Sequence, residues 1–117
     1  MLVKSVESVP VEPVNVDGAK NATVRWLITE ADGAPNFAMR LFEVGPGGHT
    51  PHHAHPYEHE VFVLEGGGVV VGPEGERPFQ AGQVVFVPAN EKHQFRNTSS
   101  GPCKFLCLIP SANCCVR

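Results

Sequence analysis

The sequence predicts an all-β fold, a single sandwich or small closed barrel, and three observations carry that prediction. Glycine (12) and proline (11) together make about a fifth of the 117 residues and punctuate the chain at short intervals. Between them lie runs of β-branched and aromatic residues of strand length, the first being "TVRWLIT" at residues 23–29. No window carries apolar residues at helical spacing for more than two turns. A chain of this length has room for one core, burying roughly two thirds of its unfolded surface.

The elements follow in chain order. Residues 1–20, "MLVKSVESVPVEPVNVDGAK", alternate valine with polar residues, and Pro10 and Pro13 lack the N–H that a central strand donates. They are expected to form an arm along the barrel edge and a candidate contact across a dimer. The barrel is expected over residues 21–112, with strands at 23–29, 37–44, 59–66, 68–72, 83–88, 93–97 and 104–110. "EGGGVVVGPEGERPFQAG" reads as two strands around a loop at residues 73–75, with a bend or bulge at 66–68 where side chains would clash. Residues 113–117 are expected to be a flexible tail holding Cys114 and Cys115. All four cysteines, with Cys103 and Cys107, fall in the last 15 residues, where a disulfide would close only a short loop, so a reducing compartment is expected.

Charge narrows the function. A net charge of −3, a pI of ≈ 6.0 and no cluster of lysine or arginine argue against nucleic acid or an anionic membrane as partner. The N-terminus has no apolar run of signal-peptide length, and no window approaches the ~20 apolar residues of a membrane span, so a cytoplasmic protein is expected.

The distinctive chemistry is imidazole. "GGHTPHHAHPYEHE", residues 47–60, holds five of the six histidines. Side chains at i and i+2 of an extended chain share a face, so His53 and His55 present two rings to one ion. If the extension persists through Pro56, His59 keeps that parity and becomes the third ligand, with Glu60 as the alternative. His93 is the fourth, brought in from a sequence-distant strand by barrel closure. Imidazole suits iron, nickel, copper or zinc among the divalent first-row metals, and four neutral ligands leave one or two positions open. His49 and His52 have no such parity and are expected in a loop or beside the ligands. No Ser-His-Asp arrangement, phosphate loop or carboxylate pair stands out.

These residues also carry a resemblance. "GGHTPHHAHPYEHEVFVLEG" resembles the first motif of the cupin superfamily, with Gly47, His53 and His55 in register and His59 in the slot where that motif usually has glutamate. "GQVVFVPANEKHQFRN" resembles the second, with Gly82, Pro88, His93 and Asn97 in place and Asn90 where glycine is usual. Patterns such as "APNFAMRLF" and "FLCLIP" are most similar to small single-domain, four-histidine manganese cupins of a thermophilic kind, over most of residues 34–110. The resemblance implies a single double-stranded β-helix, or jelly-roll barrel. It also implies a homodimer and one divalent metal, manganese first, on His53, His55, His59 and His93.

Strand parity extends the pocket. Phe95 shares a face with His93, and Phe105, Cys107 and Ile109 share one face of the last strand, so an apolar, partly aromatic cavity over the metal is expected. Arg40 is expected at a solvated face, paired with a carboxylate such as Glu60, or as a binder of substrate anion. Glu58 and Glu60 are the local candidates for a general base. The leading expectation is a manganese- or iron-dependent dioxygenase-type oxidoreductase acting on a small molecule. A metal-dependent isomerase or lyase and a non-catalytic sensor are the alternatives.

Overall fold

The computed structural model describes residues 1–111. The expected tail, with Cys114 and Cys115, lies outside the described residues. Nine strands follow in order: β1 (Glu12–Pro13), β2 (Lys20–Ile28), β3 (Phe37–His49), β4 (His59–Glu65), β5 (Gly67–Gly72), β6 (Gly75–Gln80), β7 (Val84–Val87), β8 (Gln94–Arg96) and β9 (Cys103–Pro110). They form one antiparallel sheet in the order β6-β5-β8-β3-β9-β4-β7, with β2 pairing β3 and β1 pairing β2. The sheet curls on itself as a single jelly-roll barrel, as the sequence predicts. Among the described residues no helix is long and apolar enough to cross a membrane.

Strict alternation sets the two faces of each central strand. In β4, His59, Val61 and Val63 point inward and are buried, while Glu60, Phe62 and Leu64 point out and are exposed. In β9 the inward row is Cys103, Phe105 and Cys107. The register of β3 on β9 puts Val44 opposite Cys103, Phe42 opposite Phe105 and Arg40 opposite Cys107, so Arg40 belongs to the inward row. Phe105 is the centre of the core, its ring centroid 5.4 Å from Phe42 and 4.9 Å from Phe95. Burying such a ring contributes about 1.5–3 kcal/mol.

The bend expected at residues 66–68 is real. Gly66 takes φ +72°, and a Cβ on it would strike the Pro102 carbonyl, while one on Gly68 would strike the Arg96 carbonyl. Asn90, in the place of a motif glycine, takes φ +67°, a left-handed conformation asparagine tolerates.

Two boundaries differ from expectation. β3 runs on past residue 44 through Gly45, Pro46 and Gly47 to His49. A register shift in β2 between Lys20 and Ala22, with Asn21 at φ +51°, lets the glycine-rich stretch stay in the ladder. The histidine segment, by contrast, is not a strand. Residues 50–58 are irregular apart from an isolated bridge between His53 and His93, since Pro51 and Pro56 cannot donate to a ladder.

The arm folds back on its own chain. Residues Val6–Ser8 make a 3-10 turn, Val9 is buried, and Arg25 Nη1 donates to the carbonyls of Val6 (3.0 Å) and Val9 (2.6 Å). Lys4 pairs with Asp32 at 3.1 Å. Residues 12–13 then pair with β2, Glu12 lying opposite Val24 and exposed.

Candidate metal centre

The four histidines meet at one end of the barrel. His59 arrives on β4 and His53 and His55 on the irregular segment. His93 comes from just before β8, tied to His53 by two backbone hydrogen bonds of 3.1 and 2.9 Å. Nε2 of His53 and Nε2 of His55 stand 3.1 Å apart. Ring centroids lie 5.3 Å apart for His53 and His93, 5.1 Å for His55 and His59, and 4.9 Å for His59 and His93. Imidazoles whose nitrogens sit ~2.1 Å from one ion, about 90–110° apart, have centroids roughly 4.5–5.2 Å apart.

The nitrogens present the right chemistry. His93 Nδ1 lies 2.9 Å from the Glu91 carbonyl, which requires Nδ1 to carry the proton and leaves Nε2 with a lone pair. His59 Nδ1 lies 3.4 Å from Cys107 Sγ, while its Nε2 is buried without any partner, an orphan a cation would satisfy. Burial, reinforced by the neighbouring imidazoles and Arg40, pushes His59 down to about 3 and His53 down to about 4, and lowers His55 as well. Rings so disposed stay neutral, as metal ligands must be. Among the described residues no group of three or more His, Cys, Asp or Glu side chains is placed as it stands to hold a metal ion. Three centroid spacings lie at or near the range for a shared ion, while His53 to His55 at 4.1 Å and His55 to His93 at 6.1 Å lie outside it, so the rings would have to turn to share one ion.

A cavity of ≈ 380 Å³ opens over these rings. Phe95, Phe105 and Cys107 line it, as expected, together with aromatic residues that strand parity did not single out: Trp26, Phe42 and Tyr57. Tyr57 stacks on His55 at 4.9 Å with 10° between planes. The arm supplies the remaining wall through residues 12–16, including Glu12. Ile109 does not reach this cavity; it lines a separate cleft with Trp26, Ala38 and Tyr57, because the last strand carries it past the histidines.

Arg40 departs from the solvated-face expectation. It points into the cavity, its guanidinium carbon 5.3 Å from the Trp26 ring centroid and 4.8 Å from that of Phe42, with Nη2 donating to Cys107 Sγ at 3.1 Å. Its Nε is buried and unpartnered, and no carboxylate among the described residues forms an ion pair with it. Glu60 cannot be its partner, because β4 turns that side chain outward between Leu108 and Phe86. Burial holds the Cys107 thiol above its ordinary range although Arg40 opposes this, so the sulfur is a neutral thiol.

His49 and His52 stand apart from the cavity. His49 Nδ1 contacts Gln94 at 3.2 Å, and His52 is exposed. Glu58 and Glu60 are exposed and absent from the cavity lining, so neither reaches the site as a base. Glu12 is the carboxylate that lines it.

Residues 40–109 match the family described as Cupin domain. Over 71 residues the chain is 34% identical to 1-methylthio-D-xylulose 5-phosphate methylsulfurylase of Rhodospirillum rubrum, spanning 61% of this chain and 46% of that protein. Over 81 residues it is 35% identical to Protein SchB of Streptomyces halstedii, spanning 68% and 59%. The structure of the polyketide cyclase RemF from Streptomyces resistomycificus superposes with a TM-score of 0.88 at 38% identity, over 94% of this chain and 79% of that one. The chain spans 46% to 59% of the length of the curated relatives it matches.

Proposed function

Because the chain belongs to the cupin family, on its match over residues 40–109, we propose that it is a metal-dependent enzyme for redox-neutral chemistry on a small anionic carbonyl compound, of the cyclase or isomerase kind. The observation that carries this reading is a guanidinium without an ion-pair partner among the described residues, sharing one aromatic-walled cavity with four imidazoles. The likeness to a polyketide cyclase supports a substrate with several carbonyl groups.

His53, His55, His59 and His93 would hold one divalent ion, manganese being the metal the four-histidine resemblance favours and iron, nickel, zinc or copper being compatible with imidazole. Bound there, the ion would act as a Lewis acid on a carbonyl oxygen. Arg40 binds the anionic end of the substrate, and Trp26, Phe42, Tyr57, Phe95 and Phe105 bind its apolar body and exclude water. Glu12 accepts a proton from the carbon beside the carbonyl, and that C–H pair becomes the enolate π bond. The enolate carbon then attacks a second carbonyl of the same molecule. A C–C bond forms, the carbonyl pair moves to oxygen, and the proton returns from Glu12 to that oxygen, so no oxidant is consumed.

The test is anaerobic turnover of an aromatic β-keto acid or a short poly-β-carbonyl acid by manganese-loaded protein, against chelated protein and His55→Ala. Product with no oxygen uptake supports the reading. Turnover that requires oxygen would replace it with the dioxygenase-type oxidation, and a raised melting temperature with no product would make the chain a small-molecule sensor.

A further inference from the structure

Between the guanidinium and the metal ligands lies one sulfur. Cys107 Sγ is 3.1 Å from Arg40 Nη2 and 3.4 Å from His59 Nδ1, and the residue is only 3% exposed. A guanidinium can only donate, so the sulfur accepts from Arg40. At His59 two arrangements are open. If the thiol donated to Nδ1, the ring proton would sit on Nε2, which is buried with no acceptor in reach. If Nδ1–H donates to the sulfur, Nε2 faces the cavity with a bare lone pair. The second arrangement is the one that satisfies both ring nitrogens of His59 once a cation is present, and it makes the sulfur an acceptor for both neighbours.

We propose that Cys107 is a positioning residue that accepts hydrogen bonds from His59 and Arg40 together, fixing the metal-binding tautomer of the one and the anion-binding pose of the other. The assignment of Arg40 to an anion rests on the function proposed above. The register of β3 on β9 provides the means, since Arg40 and Cys107 are cross-strand partners, while Cys107 is also the partner of Val61, two residues from His59 on β4. One side chain on β9 thereby sets groups on both flanking strands. Sulfur suits the place: it is a long, soft acceptor that sits in an apolar wall beside Phe105 at little desolvation cost.

The experiment uses the full chain with Cys107→Ala, which removes the acceptor, and Cys107→Ser, which keeps one. Two affinities are measured: manganese(II), by competition with a fluorescent chelator, and benzoate against benzyl alcohol on the metal-loaded protein, by calorimetry. Cys107→Ala is expected to weaken manganese binding about 10- to 100-fold, the usual loss when the partner of a ligating histidine is removed. It should also lower the preference for benzoate over benzyl alcohol. Cys107→Ser should recover most of both. In the zinc-loaded protein the His59 Nδ1–H resonance should be present in wild type and Cys107→Ser and lost in Cys107→Ala. A Cys107→Ala protein with wild-type affinity for either probe would overturn the proposal, and so would a folded Cys107→Ser no better than Cys107→Ala. Absence of turnover on any carbonyl acid would defeat the catalytic reading and leave both binding measurements standing.

Discussion

Arg40→Met keeps the length and apolar stem of Arg40 and removes its charge. In the folded protein that charge gains two ring contacts, at 5.3 and 4.8 Å, each worth about 0.5–2 kcal/mol. It also gains one hydrogen bond to Cys107 Sγ, worth about 1 kcal/mol. Against these stand an unpartnered buried Nε, costing about 1–3 kcal/mol, and partial loss of hydration with no counter-ion. The two sides cancel to within about 1–2 kcal/mol, because solvent at the cavity mouth screens the charge. Arg40→Met is therefore expected to move the urea midpoint of unfolding little, or upward. Benzoate has the opposite stake: a charge-assisted hydrogen bond worth about 1.5–3 kcal/mol disappears, a loss of roughly 10- to 150-fold in affinity. Urea melts and calorimetric titration at pH 7.5, on metal-loaded wild type and variant, give both numbers. A variant destabilised by more than about 3 kcal/mol that binds benzoate as well as wild type would refute the reasoning and make Arg40 a strut.

Elemental analysis should find His53→Ala, His55→Ala, His59→Ala and His93→Ala depleted in metal, while His49→Ala and His52→Ala stay near one ion per chain, because those two rings stand outside the cavity. Chelated protein should lose stability as pH falls from 6.5 toward 4. Unfolded imidazoles take up protons near 6.5, whereas burial and neighbouring imidazoles hold His53 near 4 and His59 near 3, so the folded state binds fewer protons in that window and the full stability exists only above it. A urea midpoint unchanged between pH 7.5 and pH 5 would contradict these depressed values. Deleting residues 1–15 should weaken benzoate binding by opening the cavity wall that residues 12–16 supply, while metal content stays intact, as calorimetry and elemental analysis would show. The homodimer expected from the sequence should appear by sedimentation at micromolar concentration and be lost in Phe62→Lys with Phe86→Lys, two exposed rings on the outer face of β4 and β7.

The fold was legible where alternation was clean. β4 reads inward and outward by turns from His59 to Leu64, and the observed burial follows it residue by residue. Alternation failed where glycine and proline interrupted it. The β3 extension depends on a shift in its partner strand opposite Asn21, a property of two segments that neither run displays alone. In the arm, residues 12–13 pair along β2 as an edge, but Arg25, which ties the arm to its own chain through the Val6 and Val9 carbonyls, is an unremarkable charge in the sequence.

At the site, the ligand segment came out as a pattern although the local structure behind the argument is absent. Residues 50–58 form no regular strand, and His53 and His55 still bring their nitrogens within 3.1 Å of each other, since an extended backbone keeps i and i+2 on one side whether or not it pairs. The same parity reaches Tyr57, midway between His55 and His59, and the stacked ring found there could have been read from the spacing. Trp26 and Phe42 could not, because their place beside the histidines depends on the register of β2 and β3. Arg40 is the instructive case. In "FAMRLFEV" it falls on the row of Ala38, Phe42 and Val44, which the structure turns inward, whereas general expectation about charged residues sent it to solvent. A cation on a core-facing row, with no acidic residue on the facing strand to neutralise it, is a conflict between local pattern and local chemistry. Such conflicts are expected where a ligand supplies the missing partner, and Arg40, which lines one cavity with the four imidazoles, is the place in this chain to test for it.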